Sequence, residues 1–506
     1  HGHIIGYAEG ATRMNPELSY FGSRRTKGPI PASALDILLS ALLRERWTDF
    51  EGAKDVYRKL QGARPRSREA QIARQRLEDL DKLIAEKELY QRIDHNARLV
   101  LSTIGMNISA NSQILKLLFD VDAIDLDNDT APFVPLKPEY VEKCLDLVPR
   151  EFPGDPGPNT FGTGGTPPFY QNNDENELRP ASQKEFEDIV HIAASWSNVV
   201  DIFSVPVQTE KSMSDYDCAV SMDKKFSGLK MIGTRKMTDD QSKHFAGRED
   251  WLDGTSLLTS FTPMTNMVDP FLRSANNGNN LLLLDLSISG ASGPNSPEAL
   301  LTFIHAQVLF MMILVQTIRP GTVCVHGGIP GVVGTDGDIS YSSPCQWLLN
   351  EAMARLNLWV TGFPSAQSGG STSVSNDLHQ AIMESKNSRS RIRRYGAHII
   401  RHALGALGNL QYFNLHKFEE DCKAEFEARK LVNTNAIGEI SVLPLHLPKD
   451  DLAVEAILEF AYKGSPKITD HTLRNVGIFK QWEDEVARQE KLLQEREGEG
   501  TSAQAA

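Results

Sequence analysis

Cysteine is scarce in this chain: five in 506 residues, Cys144, Cys218, Cys324, Cys345 and Cys422, odd in number and without a CxxC pair. That pattern argues against a disulfide framework and fits a reducing compartment. Positive charge is also short. Lys and Arg total 53 against 66 Asp and Glu, a net charge of −13, which argues against a general nucleic-acid role. Long apolar runs are absent except at Leu300–Ile318, which carries His305, Gln307 and Gln316 in its body. Lipid would have to dissolve those groups, so a buried helix is expected there rather than a membrane span. The opening HGHIIGYAEG lacks a basic start and an apolar block, so a cytoplasmic α/β protein is expected.

Several motifs fall short. GTGGTP at Gly162–Pro167 lacks the Gly-Lys-Ser/Thr ending of a phosphate loop and the spacing of a dinucleotide loop. VDAIDLDNDT at Val121–Thr130 lacks the glycine and closing glutamate of a calcium loop. No Ser-His-Asp arrangement or pair of carboxylates stands out, so hydrolysis is not indicated.

What is present is organised around Leu281–Gly328. Leu281–Leu286 is a dense apolar run that reads as a strand buried on both faces. Small residues follow, then a helical stretch at Pro297–Ile318, a break at Arg319-Pro320-Gly321, and a second apolar run at Thr322–Val325. Strand, helix, strand in that order makes a parallel unit. The unit repeats. Strands are expected at Asn159–Gly162, Val199–Ser204, Leu229–Gly233, Leu257–Thr262, Leu281–Ser287, Val323–His326, Leu358–Thr361 and Asn409–Phe413, each followed by a helix. Eight repeats predict an α/β fold, a (β/α)8 TIM barrel, with a doubly wound sheet as the alternative. The expected organisation is an N-terminal arm and helices over 1–90 and a helical cap over 91–150. The barrel would take 151–431, and a C-terminal helical extension with a disordered tail 432–506.

In such folds ligands bind beyond the carboxyl ends of the strands. Two long small-residue loops fall there: Gly327, Gly328 and the polar stretch Asp336–Ser343 with Tyr341, and the stretch holding Phe363, Gln367 and Ser368. Cys324 and His326 are two apart on a strand and share a face, expected to point into the barrel. A catalytic zinc needs a third protein ligand, and none is evident, so no metal site is assigned. Phe169, Tyr170, Trp196, Phe203, Phe261, Tyr341, Trp347 and Phe363 lie near expected strand ends, as core or as a cage for a quaternary ammonium.

The motifs S-G-x-S-G-P (Ser289–Pro294), H-A-Q-V-L (His305–Leu309), Q-x-x-R-P-G (Gln316–Gly321) and H-G-G-x-P-G (His326–Gly331) form a series. Y-S-S-P (Tyr341–Pro344), N-D-L-H-Q-A-x-x-E (Asn376–Glu384) and KMIGTRKMT (Lys230–Thr238) belong with them. Together they resemble the trimethylamine:corrinoid methyltransferase superfamily over roughly residues 91–490. No pyrrolysine is present in the sequence, so the chain resembles the branch without it, whose members act on quaternary amines such as glycine betaine.

The resemblance implies transfer of a methyl group from a quaternary amine to the Co(I) of a corrinoid (cobalamin) carried by a partner protein. It also implies a map of the site by region, with His326 and Tyr341 as catalytic residues. Phe203, Arg235, Gly327, Gly328, Phe363, Gln367, Ser368 and Gln380 would contact substrate, and Gly290, Gly293 and Asp336 would face the corrinoid. A homo-oligomer is expected, with no nucleic acid or membrane partner. A zinc-dependent barrel methyltransferase and a non-catalytic corrinoid-protein docking subunit stand as alternatives.

Overall fold

The computed structural model describes residues 34–46, 48–125, 132–151, 160–163, 165–171, 178–233, 237–334, 339–394, 396–432, 444–463 and 488. Packing separates two units, one of residues 1–86 with 424–444 and one of 87–423 with 445–506. In the first unit α1 (Ala34–Arg46) and α2 (Phe50–Ala63) pack with the start of α3 (Arg68–Thr103). Glu45 is fully buried there and receives Arg76 Nη2 at 2.5 Å, with the Tyr57 hydroxyl also donating to it.

The second unit holds a parallel sheet of eight strands. They are β1 (Thr160–Gly162), β2 (Val200–Ser204), β3 (Leu229–Gly233), β4 (Trp251–Thr255), β5 (Leu281–Ile288), β6 (Cys324–Gly331), β7 (Ala366–Ser368) and β8 (Ile399–Arg401). Their order in the sheet is β6-β5-β4-β3-β2-β1-β8-β7, and every ladder is parallel. Each crossover carries a helix, as parallel pairing requires. These helices are α4 (Gln183–Ser195), α5 (Asp215–Lys225), α6 (Asp239–Lys243), α7 (Thr265–Asn277), α8 (Pro297–Ile318), α9 (Pro344–Leu356) and α10 (Leu378–Arg394), followed by α11 (Leu415–Val432).

The fold is therefore mixed α/β, with a curled parallel sheet. The expected continuous closure is not what is seen. Between the outermost strands, β6 and β7, there is one parallel bridge, His326 to Ser365, in place of a ladder.

Helix α8 is long and apolar enough to cross a membrane, and it lies buried inside the protein. Ser296 caps it by accepting from the Ala299 amide, and Pro297 takes the first-turn position that needs no amide donor. Its Phe303 stacks on Phe261 at 4.3 Å between ring centroids.

Three expected strands sit elsewhere. β4 is Trp251–Thr255, whereas Leu258–Thr259 and Thr262–Pro263 pair as a small hairpin. The predicted strand at Leu358–Thr361 is a π-helical turn, Asn357–Thr361, that prolongs α9 and stops at Gly362 with φ 69°. A short apolar run is compatible with either period; here Trp359 is held as a helical residue by the edge of Tyr90 and by Arg355 over its face. Residues Ala406–Leu407 and Tyr412–Asn414 join Phe169–Gln171 in a separate three-stranded sheet, and β8 lies earlier, at Ile399–Arg401. The expected tail helix at Trp482–Glu497 lies outside the described residues apart from Arg488.

Candidate active site

Strand alternation builds the site in two layers. Ile202, Leu229, Met231, Leu252, Leu282, Val325, Ala366 and Ile399 form one buried apolar cluster drawn from seven strands. Strands two to eight meet in that way only on the concave face of the sheet. Side chains recur on one face every second residue. The next positions toward the carboxyl ends are therefore Ser204, Gly233, Gly254, Leu284, Gly327, Ser368 and Arg401.

The lower layer is an apolar floor. The upper layer is a rim of three glycines, two serines, one leucine and one arginine. A Cβ at Gly233 would meet no atom within 4 Å, so the rim is open there. At Gly327 a Cβ would come within 2.8 Å of the Leu284 side chain and 2.6 Å of the Leu283 carbonyl, so only glycine fits beside Leu284. Leu286, one further step up β5, is 49% exposed.

The β7–β8 side of the rim is polar. Ser368 pairs with Arg401 in register. Its Oγ lies 2.9 Å from His402 Nδ1, and the edge of Tyr341 packs 6.1 Å from the His402 ring. Burial, followed by the Arg401 charge, holds His402 well below the ordinary imidazole value, so it is neutral. Tyr341 is fixed from behind: its amide donates to Asn409 Oδ1 and its carbonyl accepts from Trp347 Nε1 at 2.7 Å. Asn409 Oδ1 also accepts from Ser373 Oγ, while Ser342 and Thr372 both donate to Glu384. The loops after β6, β7 and β8 are thus tied into one polar network.

Of the sequence-predicted residues, Tyr341, Gly327 and Ser368 come together at this rim. The others do not. His326 and Cys324 share a face as expected, but it is the face turned to the helices. Val325 and Gly327 face inward between them.

His326 Nε2 lies 2.9 Å from His305 Nδ1 on α8, and His305 Nε2 lies 2.9 Å from Asp94 Oδ1 on α3. The Gly328 amide donates to His326 Nδ1, which assigns the protons along the chain. His326 Nε2–H donates to His305, and His305 Nε2–H donates to Asp94. Burial, then the neighbouring His305, lowers His326 far below its usual value. His326 is therefore a neutral link between sheet and helices, not a group beneath the substrate. Gly328 likewise faces α8, where a Cβ would meet Ile304 at 2.6 Å.

Phe203 also faces outward and packs on Phe226 at 5.6 Å. Phe363 precedes β7 instead of following it, so it lies at the amino end of the sheet under the Arg150 guanidinium, 4.1 Å away. Gln367 alternates with Ala366 and Ser368 and points to the helix side, fully buried, with neither amide atom hydrogen-bonded among the described residues. Gln380 is exposed on α10 and donates to Glu384 Oε1. Gly290, at φ 71°, and Gly293 shape the turn after β5. Arg235 and Asp336 lie outside the described residues. The expected aromatic cage is not assembled: Tyr341 alone of those named stands on the rim, and Phe169 stacks on Tyr412 in the side sheet.

Arg401 and His402 escaped sequence reasoning because β8 was sought ten residues too late. The signal was the short β-branched run Ile399-Ile400 ahead of them. Asp94 and His305 were overlooked as partners, although an imidazole in the middle of an apolar helix needs one.

The helix side holds a second buried carboxyl. Asp285 on β5 accepts from Ser287 Oγ at 2.9 Å and Gln307 Nε2 at 3.1 Å. Burial raises it from 3.8 to about 7 against the opposing Ser287 bond. A raised carboxyl contributes stability that is full below the unfolded value and is lost as pH rises through about 7. That loss amounts to roughly 4 kcal/mol at 1.36 kcal/mol per unit. Asp285→Asn removes the charge; its Oδ1 still accepts from Gln307 Nε2 and its NH2 donates to Ser287 Oγ in the reverse direction. It is expected to unfold at higher denaturant than the parent near pH 8, with the gap closing near pH 4. An equal gap at both pH values would contradict the assignment.

Comparison with known proteins agrees with the sequence motifs. The profile of the trimethylamine methyltransferase (MTTB) family matches residues 53–481. The chain is 24% identical over 365 residues to the glycine betaine methyltransferase of Desulfitobacterium hafniense (strain Y51), which covers 67% of this chain and 74% of that one. Among solved structures it is similar to the monomethylamine methyltransferase of Methanosarcina barkeri, with 12% identity, a TM-score of 0.40, and coverage of 80% of this chain and 94% of that one. The dihydropteroate synthase of Stenotrophomonas maltophilia aligns at 9% identity and a TM-score of 0.31, over 55% of this chain and 95% of that one. A family profile that spans most of the sequence fixes the assignment: the chain belongs to the trimethylamine methyltransferase family.

Proposed function

We propose that the chain moves a methyl group from a quaternary amine, glycine betaine or a similar compound, to the Co(I) of a corrinoid held by a separate protein. Family membership and the relative that is a glycine betaine methyltransferase support the reaction class. The observation that carries the reading is the layered cup: an apolar floor, a rim that lies open at Gly233, and one arginine.

A quaternary ammonium already has a neutral amine as its leaving group, so the reaction asks the protein for no acid and no base. Cobalt(I) supplies the electron pair of the new carbon–cobalt bond, and the carbon–nitrogen pair departs with the amine. What the chain must do is hold donor nitrogen, methyl carbon and acceptor nearly in line. The floor excludes water from below the donor. The open rim at Gly233, and the exposed Leu286 two strands away on β5, give a wide planar group an approach from the carboxyl side. The donor's charge fades as the methyl leaves, so a tight aromatic cage would favour the ground state over the transition state. A rim with a single aromatic, Tyr341, suits that requirement.

The test is spectroscopic. Mixing the chain with a reduced corrinoid protein and a panel of quaternary amines is expected to give the absorbance of methylcobalt(III) with at least one betaine. No conversion with any donor, under conditions where a family relative turns over, would remove the reading.

A further inference from the structure

Buried guanidinium groups in this protein are answered by carboxylates. Arg389 meets Asp421 at 2.9 Å, Arg76 meets Glu45 at 2.5 Å, and Arg355 pairs with Glu351. Arg401 breaks the pattern. It is 8% exposed, and among the described residues no carboxylate faces it and its Nε has no hydrogen-bond partner. Its place is not the helix side, where a structural cation would sit. It follows Ile399 of the apolar floor by two residues and projects from the rim beside Ser368. The burial that isolates it also weakens its hold on the proton, from the ordinary guanidinium value to about 10, with Tyr341 acting in the opposite sense. An uncompensated buried cation costs several kcal/mol. Such a cost is sustained where a ligand removes it.

Among the described residues that partner is missing, and an anion entering the cup would supply it. A carboxylate matches the planar fork of a guanidinium through two parallel hydrogen bonds. Ser368, its register partner, and the neutral His402, the next residue, offer further polar groups. We propose that Arg401 anchors the carboxylate of the methyl donor, so that the site takes zwitterionic quaternary ammonium acids and discriminates against quaternary amines that lack the acid. This rests on the methyl-transfer reading above.

The same charge orients the donor. It draws the carboxylate to the β7–β8 side and repels the ammonium toward the glycines of β3 and β4. As the methyl departs, the ammonium charge disappears and the repulsion with it. Arg401 therefore favours the transition state over the bound donor, in addition to selecting the donor.

The test measures binding by calorimetry on the purified chain, without corrinoid partner. The ligands are glycine betaine, its methyl ester and choline, which share the trimethylammonium head. Glycine betaine is expected to bind about 100-fold more tightly than the other two, the usual scale for a desolvated charge pair. Arg401→Gln is expected to bring the three affinities within about threefold, and Arg401→Lys to restore part of the preference. Equal binding of ester and acid by the unaltered chain, or no binding of the acid, overturns the anchor. So does an intact preference in a folded Arg401→Gln chain. Should that variant fail to fold, the comparison of acid with ester on the unaltered chain decides alone. The two readings fail separately. Methyl transfer from choline as efficient as from glycine betaine removes the anchor and leaves the reaction. An Arg401-dependent preference in binding, without transfer to cobalt from any donor, removes the reaction and leaves the anchor.

Discussion

Replacing Asp421 by asparagine is expected to destabilise the second unit by roughly 3–5 kcal/mol, the usual cost of stripping one partner from a buried ion group. Asp421 on α11 is fully buried. Its Oδ1 accepts from Arg389 Nη1 at 2.9 Å, and its Oδ2 accepts from Lys417 Nζ at 2.6 Å and from the Gly405 amide at 2.9 Å. Arg389 Nη1 reaches on to the Ala403 carbonyl at 2.7 Å. Burial lowers the Lys417 ammonium, and Asp421 is what counteracts it. Without the carboxylate, two cations are left buried together and the 403–405 loop loses its ties.

Because Arg401 and His402 lead directly into that loop, donor binding is expected to fall along with stability. Denaturant unfolding checks the first part. Removing all three charges together, as Arg389→Leu, Lys417→Met and Asp421→Leu, is expected to cost less than Asp421→Asn alone, since no orphan charge remains. A single variant within 1 kcal/mol of the parent, or a triple variant worse than the single, would show that the group does not carry this load.

His305→Leu is expected to cost roughly 2–4 kcal/mol at neutral pH. It leaves the His326 Nε2–H without an acceptor inside the protein and takes one donor from Asp94. The pH dependence identifies the mechanism. Burial alone would raise Asp94, but the His305 hydrogen bond and the Arg98 charge outweigh it and hold the carboxyl at about 2 instead of 3.8. A depressed carboxyl contributes stability that is full above the unfolded value and is lost as pH falls through about 2. The deficit of the variant is therefore expected to be constant from about pH 8 to 4 and to shrink below that. A deficit unchanged toward pH 2 would mean that packing around the His305 ring, not the chain of hydrogen bonds, is what was removed.

The position of this chain explains why His326 looked catalytic. A histidine between a valine and two glycines at a strand end reads as a site residue. The alternation rule correctly paired His326 with Cys324 but left open which of two faces they share. The answer depends on His305, 21 residues away, and on Asp94, more than 200 residues away. No local pattern carries that information. Phe363 shows a different failure. Leu358-Trp359-Val360 is apolar enough for either period, and only contacts with Tyr90 and Arg355 make it helical. Reading it as a strand moved Phe363 from the amino end of β7 to the carboxyl end.

The sequence by itself determined the βαβ repeat, the long buried helix α8 and the family. Each of these rests on local spacing or on glycines at fixed offsets, which neighbours along the chain express. Tertiary structure alone decided which face of each strand looks inward, and where β4, β7 and β8 fall. It also decided that a buried arginine stands on the rim without an acid to meet it. Those facts depend on pairs far apart in sequence, because the stability of a face or a charge is set by what packs against it.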